Sequence, residues 1–141
     1  MPEKVEQPLF FPEPMLEHIR SEAVRIDRSA SWCAQRAWLL ARTTLIALPT
    51  VTDGVEPAPS PERDELELQL TARFQLADAP KQKQTLFFPQ DMIIEIHGEA
   101  RRLDRSMSWM VQAAWCVAAP SIAQLPDATV NDVAATTTAS A

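Results

Sequence analysis

The chain has only two glycines and two cysteines in 141 residues, and each scarcity closes off a class of chemistry. With so few glycines, no phosphate-cradling glycine loop can be assembled. Cys33 and Cys116 lie far apart and form no C-x-x-C pair. A disulfide framework and a cysteine metal or redox motif are both excluded, so the two read as small apolar core residues in a reducing compartment. His18 and His97 stand apart and read as solvated helix-face residues. No apolar run approaches the roughly 20 residues that a membrane span needs, and Met1-Pro2-Glu3-Lys4-Val5-Glu6 lacks the apolar core of a signal peptide. No Ser/His/Asp set or paired metal ligands can be put together. The expectation is a soluble cytoplasmic protein that is not an enzyme and holds no metal or cofactor.

What the chain does have is repetition. Leu9-Phe10-Phe11-Pro12, followed by Met15, Ile19, Glu22, Ala23 and Arg25, leads to Asp27-Arg28-Ser29, Ser31-Trp32, Gln35 and Ala37-Trp38. The same order recurs 77 residues later as Leu86-Phe87-Phe88-Pro89, Met92, Ile96, Glu99, Ala100, Arg102, Asp104-Arg105-Ser106, Ser108-Trp109, Gln112 and Ala114-Trp115. From Gln7 against Gln84 to Ala41 against Ala118, 19 of 35 ungapped pairs are identical. A unit of roughly 40 residues is too small to bury a core alone, whereas two together suffice. The organisation expected is a tail (1–6), repeat 1 (7–49), an acidic linker (50–80) with a helix at 61–77, repeat 2 (81–126) and a disordered tail (127–141).

The net charge of −6 argues against nucleic acid until its location is considered. Repeat 1 carries five Arg against four acids and repeat 2 five Lys plus Arg against four, so each is +1. Residues 50–80 carry seven acids against two Arg. The acidity therefore belongs to the linker and the ends.

Within repeat 1, Pro8 and Pro12 disfavour helix at the residues before them, and paired phenylalanines favour a strand over Gln7–Phe11. A helix then starts at Pro12-Glu13-Pro14 with Met15, Ile19, Ala23 and Ile26 on one stripe. Asp27-Arg28 breaks it, and Ser29 caps a second helix that ends before Pro49. Repeat 2 has a strand from Lys81, with Lys83, Thr85 and Phe87 on one face and Gln84, Leu86 and Phe88 on the other. Its helices carry Met92, Ile96, Ala100 and Leu103, then Val111, Ala114, Trp115 and Ala118 as far as Pro120. Glu62 to Ala77 alternates like a strand at Leu66, Leu68 and Leu70, yet Ser60-Pro61-Glu62 is a helix-start signal; helix is the reading adopted.

A strand ending in an apolar residue and Pro, an amphipathic helix, a break, an Arg-Ser-x-Ser cap and a second apolar helix together resemble the ribbon-helix-helix family of DNA-binding proteins, the MetJ/Arc type. Both repeats show it, over more than half of the chain. The resemblance implies a mainly α fold with a two-stranded antiparallel ribbon, here as tandem copies forming an intrachain pseudo-dimer. The connector of about 35 residues reaches far enough at about 3.3 Å per residue, and pairing between two chains as a homodimer is the alternative. In that family the solvent face of the ribbon enters the major groove of double-stranded DNA. Carried to repeat 2, the base-contacting positions are Phe87, Thr85 and Lys83, with Lys81 beyond. In repeat 1 they are Phe10, Pro8 and Glu6. Pro8 has no donor, Glu6 shares the sign of phosphate, and a Phe stands in both copies where a polar residue is usual. Base contacts are thus expected mostly on the repeat 2 half, in a bacterial transcriptional regulator of the nucleoid. The N-terminus of the second helix binds a phosphate in the family, which implicates Arg28, Ser29 and Ser31 with Arg105, Ser106 and Ser108.

Plainer readings stand beside these. Ser29 and Ser106 cap helices in any case, and Glu22–Arg25 and Glu99–Arg102 read as helix-face ion pairs. Trp38 and Trp115 read as core, while Trp32 and Trp109 fill an interface between repeats or join a binding surface. Gln35 and Gln112 bond across the two repeats or face solvent. The alternative function is a protein-interaction or scaffold module, with Phe10 and Phe87 side by side as an apolar patch. A third reading folds the acidic segment around Glu62 to Glu67 over the ribbon in competition with phosphates, making DNA binding regulated.

Overall fold

A computed structural model describes residues 4–52, 60–74 and 80–127. In chain order these residues form β1 (Lys4–Pro12), α1 (Glu13–Arg25), α2 (Ala30–Ile46), α3 (Pro61–Phe74), β2 (Lys81–Pro89), α4 (Gln90–Leu103) and α5 (Met107–Ala123). The described residues are therefore mainly helical, with one two-stranded antiparallel sheet. The expectations for 53–59, for the 75–77 end of the linker helix and for the tail from 128 fall outside the described residues.

Local chemistry sets the element boundaries. Pro12 and Pro89 hold extended backbone, end the strands and serve as N-caps of α1 and α4, with Pro14 tolerated in the first turn of α1. Asp27 and Asp104 turn the chain at φ 55° and 54°, in the left-handed region that Asp enters more readily than most residues. Ser29 and Ser106 then cap α2 and α5, each Oγ accepting the N–H three residues on, from Trp32 and Trp109, at 3.0 Å.

β1 and β2 pair with Pro8 opposite Thr85, so two residues 77 apart in sequence face each other at the centre. Leu9, Phe11, Leu86 and Phe88 point inward and are buried. Beneath them α2 and α5 make the main helix–helix contact, with Trp38 and Trp115 at its heart, each 1% exposed. The stripes on α1 (Met15, Ile19, Ala23) and α4 (Ile96, Ala100, Leu103) close the same core.

Contacts from one repeat to the other occur in matched pairs. Arg25 on α1 donates to the Ile122 and Leu125 carbonyls at the end of α5, while Arg102 on α4 donates to the Leu45, Ile46 and Leu48 carbonyls at the end of α2. Each arginine also pairs with its i−3 glutamate at 2.6 Å, so the helix-face ion pairs are present and additionally cap a distant helix. The hydrogen bonds that Arg25 donates to Glu22 and then to Asp127 hold its guanidinium well above its ordinary pKa. The indole of Trp38 donates to Glu95, and that of Trp115 to His18 Nδ1 at 3.0 Å, the two acceptors being 77 residues apart.

Four expectations need correction. β1 begins at Lys4, inside the stretch read as a tail, because its ladder continues through Glu6↔Phe87 and Val5↔Phe88 to Lys4↔Pro89. α5 runs through Pro120 to Ala123: Pro120 is exposed, and fully buried Ile122 anchors the turn that follows it. His18 is not simply solvated but half-buried, with its ring edge-to-face against Trp115 at 5.3 Å. His97 is exposed, as expected. The segment that was ambiguous between helix and strand is helical: Ser60 Oγ caps it at the Arg63 N–H, and Leu66 is buried while Leu68 is 62% exposed. The fourth concerns Phe10 and Phe87, which do not pair with each other in the ladder.

Candidate nucleic-acid interface

Strand alternation carries the residues singled out in β2 to the outer face. Lys81, Lys83 and Phe87 are exposed and Thr85 half-buried, and on β1 Lys4, Glu6, Pro8 and Phe10 are exposed. The outward pairs run Lys4↔Pro89, Glu6↔Phe87, Pro8↔Thr85 and Phe10↔Lys83, and exposed Lys81 stands opposite buried Pro12. Phe10 and Phe87 are therefore not side by side. Each stands across from a charged residue, and four residue steps separate them, about 13 Å along the strands. Antiparallel register displaces equivalent residues to opposite sides of the central Pro8–Thr85 pair, which the sequence pattern did not convey.

Both strand edges are fastened to a helix of the other repeat. The Phe10 N–H donates to Ser108 Oγ and the Phe87 N–H to Ser31 Oγ, each at 2.9 Å. Gln112 Nε2 donates to the Phe10 carbonyl at 2.8 Å and Gln35 Nε2 to that of Phe87 at 2.7 Å. The alternative for the glutamines resolves to bonding across the repeats. Because the backbone of Phe10 points away from β2, antiparallel alternation gives Pro8 and Pro12 the same orientation, where a missing N–H removes no ladder bond.

These bonds decide what each candidate residue can offer. The Ser29 and Ser106 hydroxyls accept from their own helices, and those of Ser31 and Ser108 accept from the strands, each keeping its own hydrogen to donate. Arg28 lies over the Trp32 ring at 5.2 Å and Arg105 over that of Trp109 at 5.0 Å. Both tryptophans are half-buried and pack against the core, so one side seats the helix start and the other supports a cation. The two arginines differ in one respect: Arg105 forms an ion pair with Glu67 of α3, whereas Arg28 has no ion pair among the described residues.

The bond from Phe10 to Ser108 sets the first turn of α5 beside the end of the sheet that carries Lys81 and Lys83. That end gathers Lys81, Lys83 and Arg105; the other gathers Lys4, Glu6 and Arg28. Sequence reasoning missed Lys4 and the pairing of Glu67 with Arg105. The alternation Lys4, Glu6, Pro8, Phe10 held the signal for Lys4, whereas nothing local signalled the ion pair of Glu67.

Among the described residues no group of three or more His, Cys, Asp or Glu side chains is placed to hold a metal, and no helix is long and apolar enough to cross a membrane. Compared with protein-family models, curated proteins and solved structures, the chain matches none of them.

Proposed function

We propose that the chain is a tandem ribbon-helix-helix protein, an intrachain pseudo-dimer whose outer sheet face enters the major groove of double-stranded DNA as a transcriptional regulator. The matched contacts between repeats support the pseudo-dimer. What carries the DNA reading is the cluster of Lys81, Lys83 and Arg105 at one end of an exposed two-stranded sheet, flanked by the starts of two helices. Lys81, Lys83 and Thr85 on that half make the base and phosphate contacts, and Phe10 and Phe87 pack against the groove walls. Arg28 and Arg105, held over their tryptophans, reach phosphates on either side of the ribbon. The half with Glu6 and Pro8 contributes less, so the preferred site is not a palindrome.

The test is fluorescence anisotropy with random duplex DNA of about two helical turns at low and moderate salt, because phosphate contacts appear as a steep salt dependence. Binding that weakens with salt is expected, with Lys83→Glu abolishing it and Glu6→Lys strengthening it. Unchanged affinity in Lys83→Glu would remove the sheet from the interface.

One observation favours the alternative of a protein-interaction module: Phe10 and Phe87 are 49% and 42% exposed. Their separation across the central pair divides the apolar surface in two and weakens that reading. Absence of DNA binding at low salt would restore it.

A further inference from the structure

The acidic linker helix does not read as a passive connector. α3 packs on α5, the helix whose first turn follows Arg105, and its Glu67 is the ion-pair partner of that arginine. Over Pro61–Phe74 the helix carries Glu62, Asp64, Glu65 and Glu67 against Arg63 and Arg73. Glu67 thus neutralises one of the three cations at the Lys81–Lys83 end, and the equivalent Arg28 has no such partner among the described residues.

Residues 61–69, the part of α3 whose side chains are described, are lightly seated. Among its side chains described, Leu66 is the buried apolar anchor, Leu68 is exposed, and Arg63 donates to the Pro49 carbonyl at 2.6 Å. A cavity of about 480 Å³ lies between α3 and helices α2 and α5, lined by Thr44, Leu48, Leu66, Cys116, Val117 and Pro120. Over residues 61–69 a single buried apolar side chain beside an open cleft of that size gives few contacts, the condition under which an element opens without global unfolding. The Arg105–Glu67 pair is part-exposed, so it is weak by itself and a phosphate can replace the carboxylate.

We propose that α3 is a detachable acidic strap that competes with DNA phosphates for Arg105, holding the stronger half of the interface partly neutralised until DNA or another polyanion displaces it. This inference rests on the DNA-binding reading. It differs from an acidic segment lying across the sheet, because the contest is for one arginine at the start of α5. Arg105 stays over Trp109 in both states and exchanges one oxygen partner for another.

The experiment compares the full chain with Glu67→Gln, Leu66→Ala and the control Glu62→Gln, on the same random duplex by anisotropy across salt, with amide hydrogen exchange of residues 61–69 with and without DNA. Glu67→Gln is expected to bind several-fold tighter and to steepen the log–log salt slope by about one, the signature of one added phosphate contact. Leu66→Ala is expected to do the same with faster exchange in α3, and Arg105→Gln in the Glu67→Gln background to cancel the gain. Equal gains from Glu62→Gln would reduce the effect to general charge and overturn the strap. So would DNA that leaves α3 exchange unchanged. If the natural chain binds and neither Glu67→Gln nor Leu66→Ala alters affinity, the strap is wrong and the DNA reading stands. If no form binds at low salt, both fall.

Discussion

The two ends of the sheet are built from the same backbone and differ in what that backbone presents. At each end a strand residue, Phe10 or Phe87, is fastened through its N–H and carbonyl to a serine and a glutamine on the opposite repeat. At one end the cations are Lys81, Lys83 and Arg105; at the other Glu6 offsets Lys4 beside Arg28. The lesson is a division of labour within a duplicated unit. The serines, glutamines, arginines and tryptophans that tie one repeat to the other are the same in both copies, whereas on the outer face of the sheet Glu6 stands where repeat 2 has Lys83.

If the halves are mechanically equivalent, the largest substitutions should cost them equally. Trp38→Ala and Trp115→Ala should each destabilise by about 3–5 kcal/mol in urea unfolding, both being buried at the α2–α5 contact. A gap of several kcal/mol between them would break the equivalence. Next come the inter-repeat caps. Arg25→Met and Arg102→Met should each lose about 1.5–3 kcal/mol, since each unties carbonyls at a helix end in the other repeat and strands a glutamate, and hydrogen bonds to charged groups carry about that much.

A smaller gain should appear in repeat 2 alone. Gly98 lies within α4, exposed, with open space where a Cβ would stand, and repeat 1 has Ser21 at that place. Gly98→Ala should stabilise by about 0.5–1 kcal/mol. The finest contrast is chemical: burial pushes the Cys33 thiol up to about 11 from 9.0, while repeat 2 has Met110 at the equivalent place. The unfolded chain ionises this thiol first, so Cys33 costs nothing below pH 9, and stability falls as pH rises between 9.0 and about 11. Cys33→Ala should flatten that part of the pH profile.

Much of the fold was legible because its signals are local. Proline before each first helix, Ser29 and Ser106 before each second, and the Met15–Ile19–Ala23 stripe report dihedral and periodic preferences that a few neighbouring residues decide. The outward placement of Lys83, Thr85 and Phe87 follows from strand alternation in the same way. What the sequence hid depends on pairing between distant segments. The offset of Phe10 from Phe87 is fixed by strand register, and the reach of Arg25 and Arg102 to far helix ends by the docking of one repeat on the other. The bond from Trp115 to His18 was concealed because the matching acceptor in the other half is a glutamate. Pro120 misled for a different reason: the rule that proline stops a helix weakens in a last turn anchored by buried Ile122.

A two-stranded sheet has no interior strand, which in other settings makes it a template for polymerisation. Here β1 turns almost no free donors outward on its later half. Pro8 and Pro12 have none to offer, and Phe10 gives its own to Ser108. On β2, Phe87 is occupied by Ser31 and Pro89 has no N–H. The serines that begin α2 and α5 therefore block strand addition over the stretches around Phe10 and Phe87, where prolines and occupied N–H groups leave no ladder to extend.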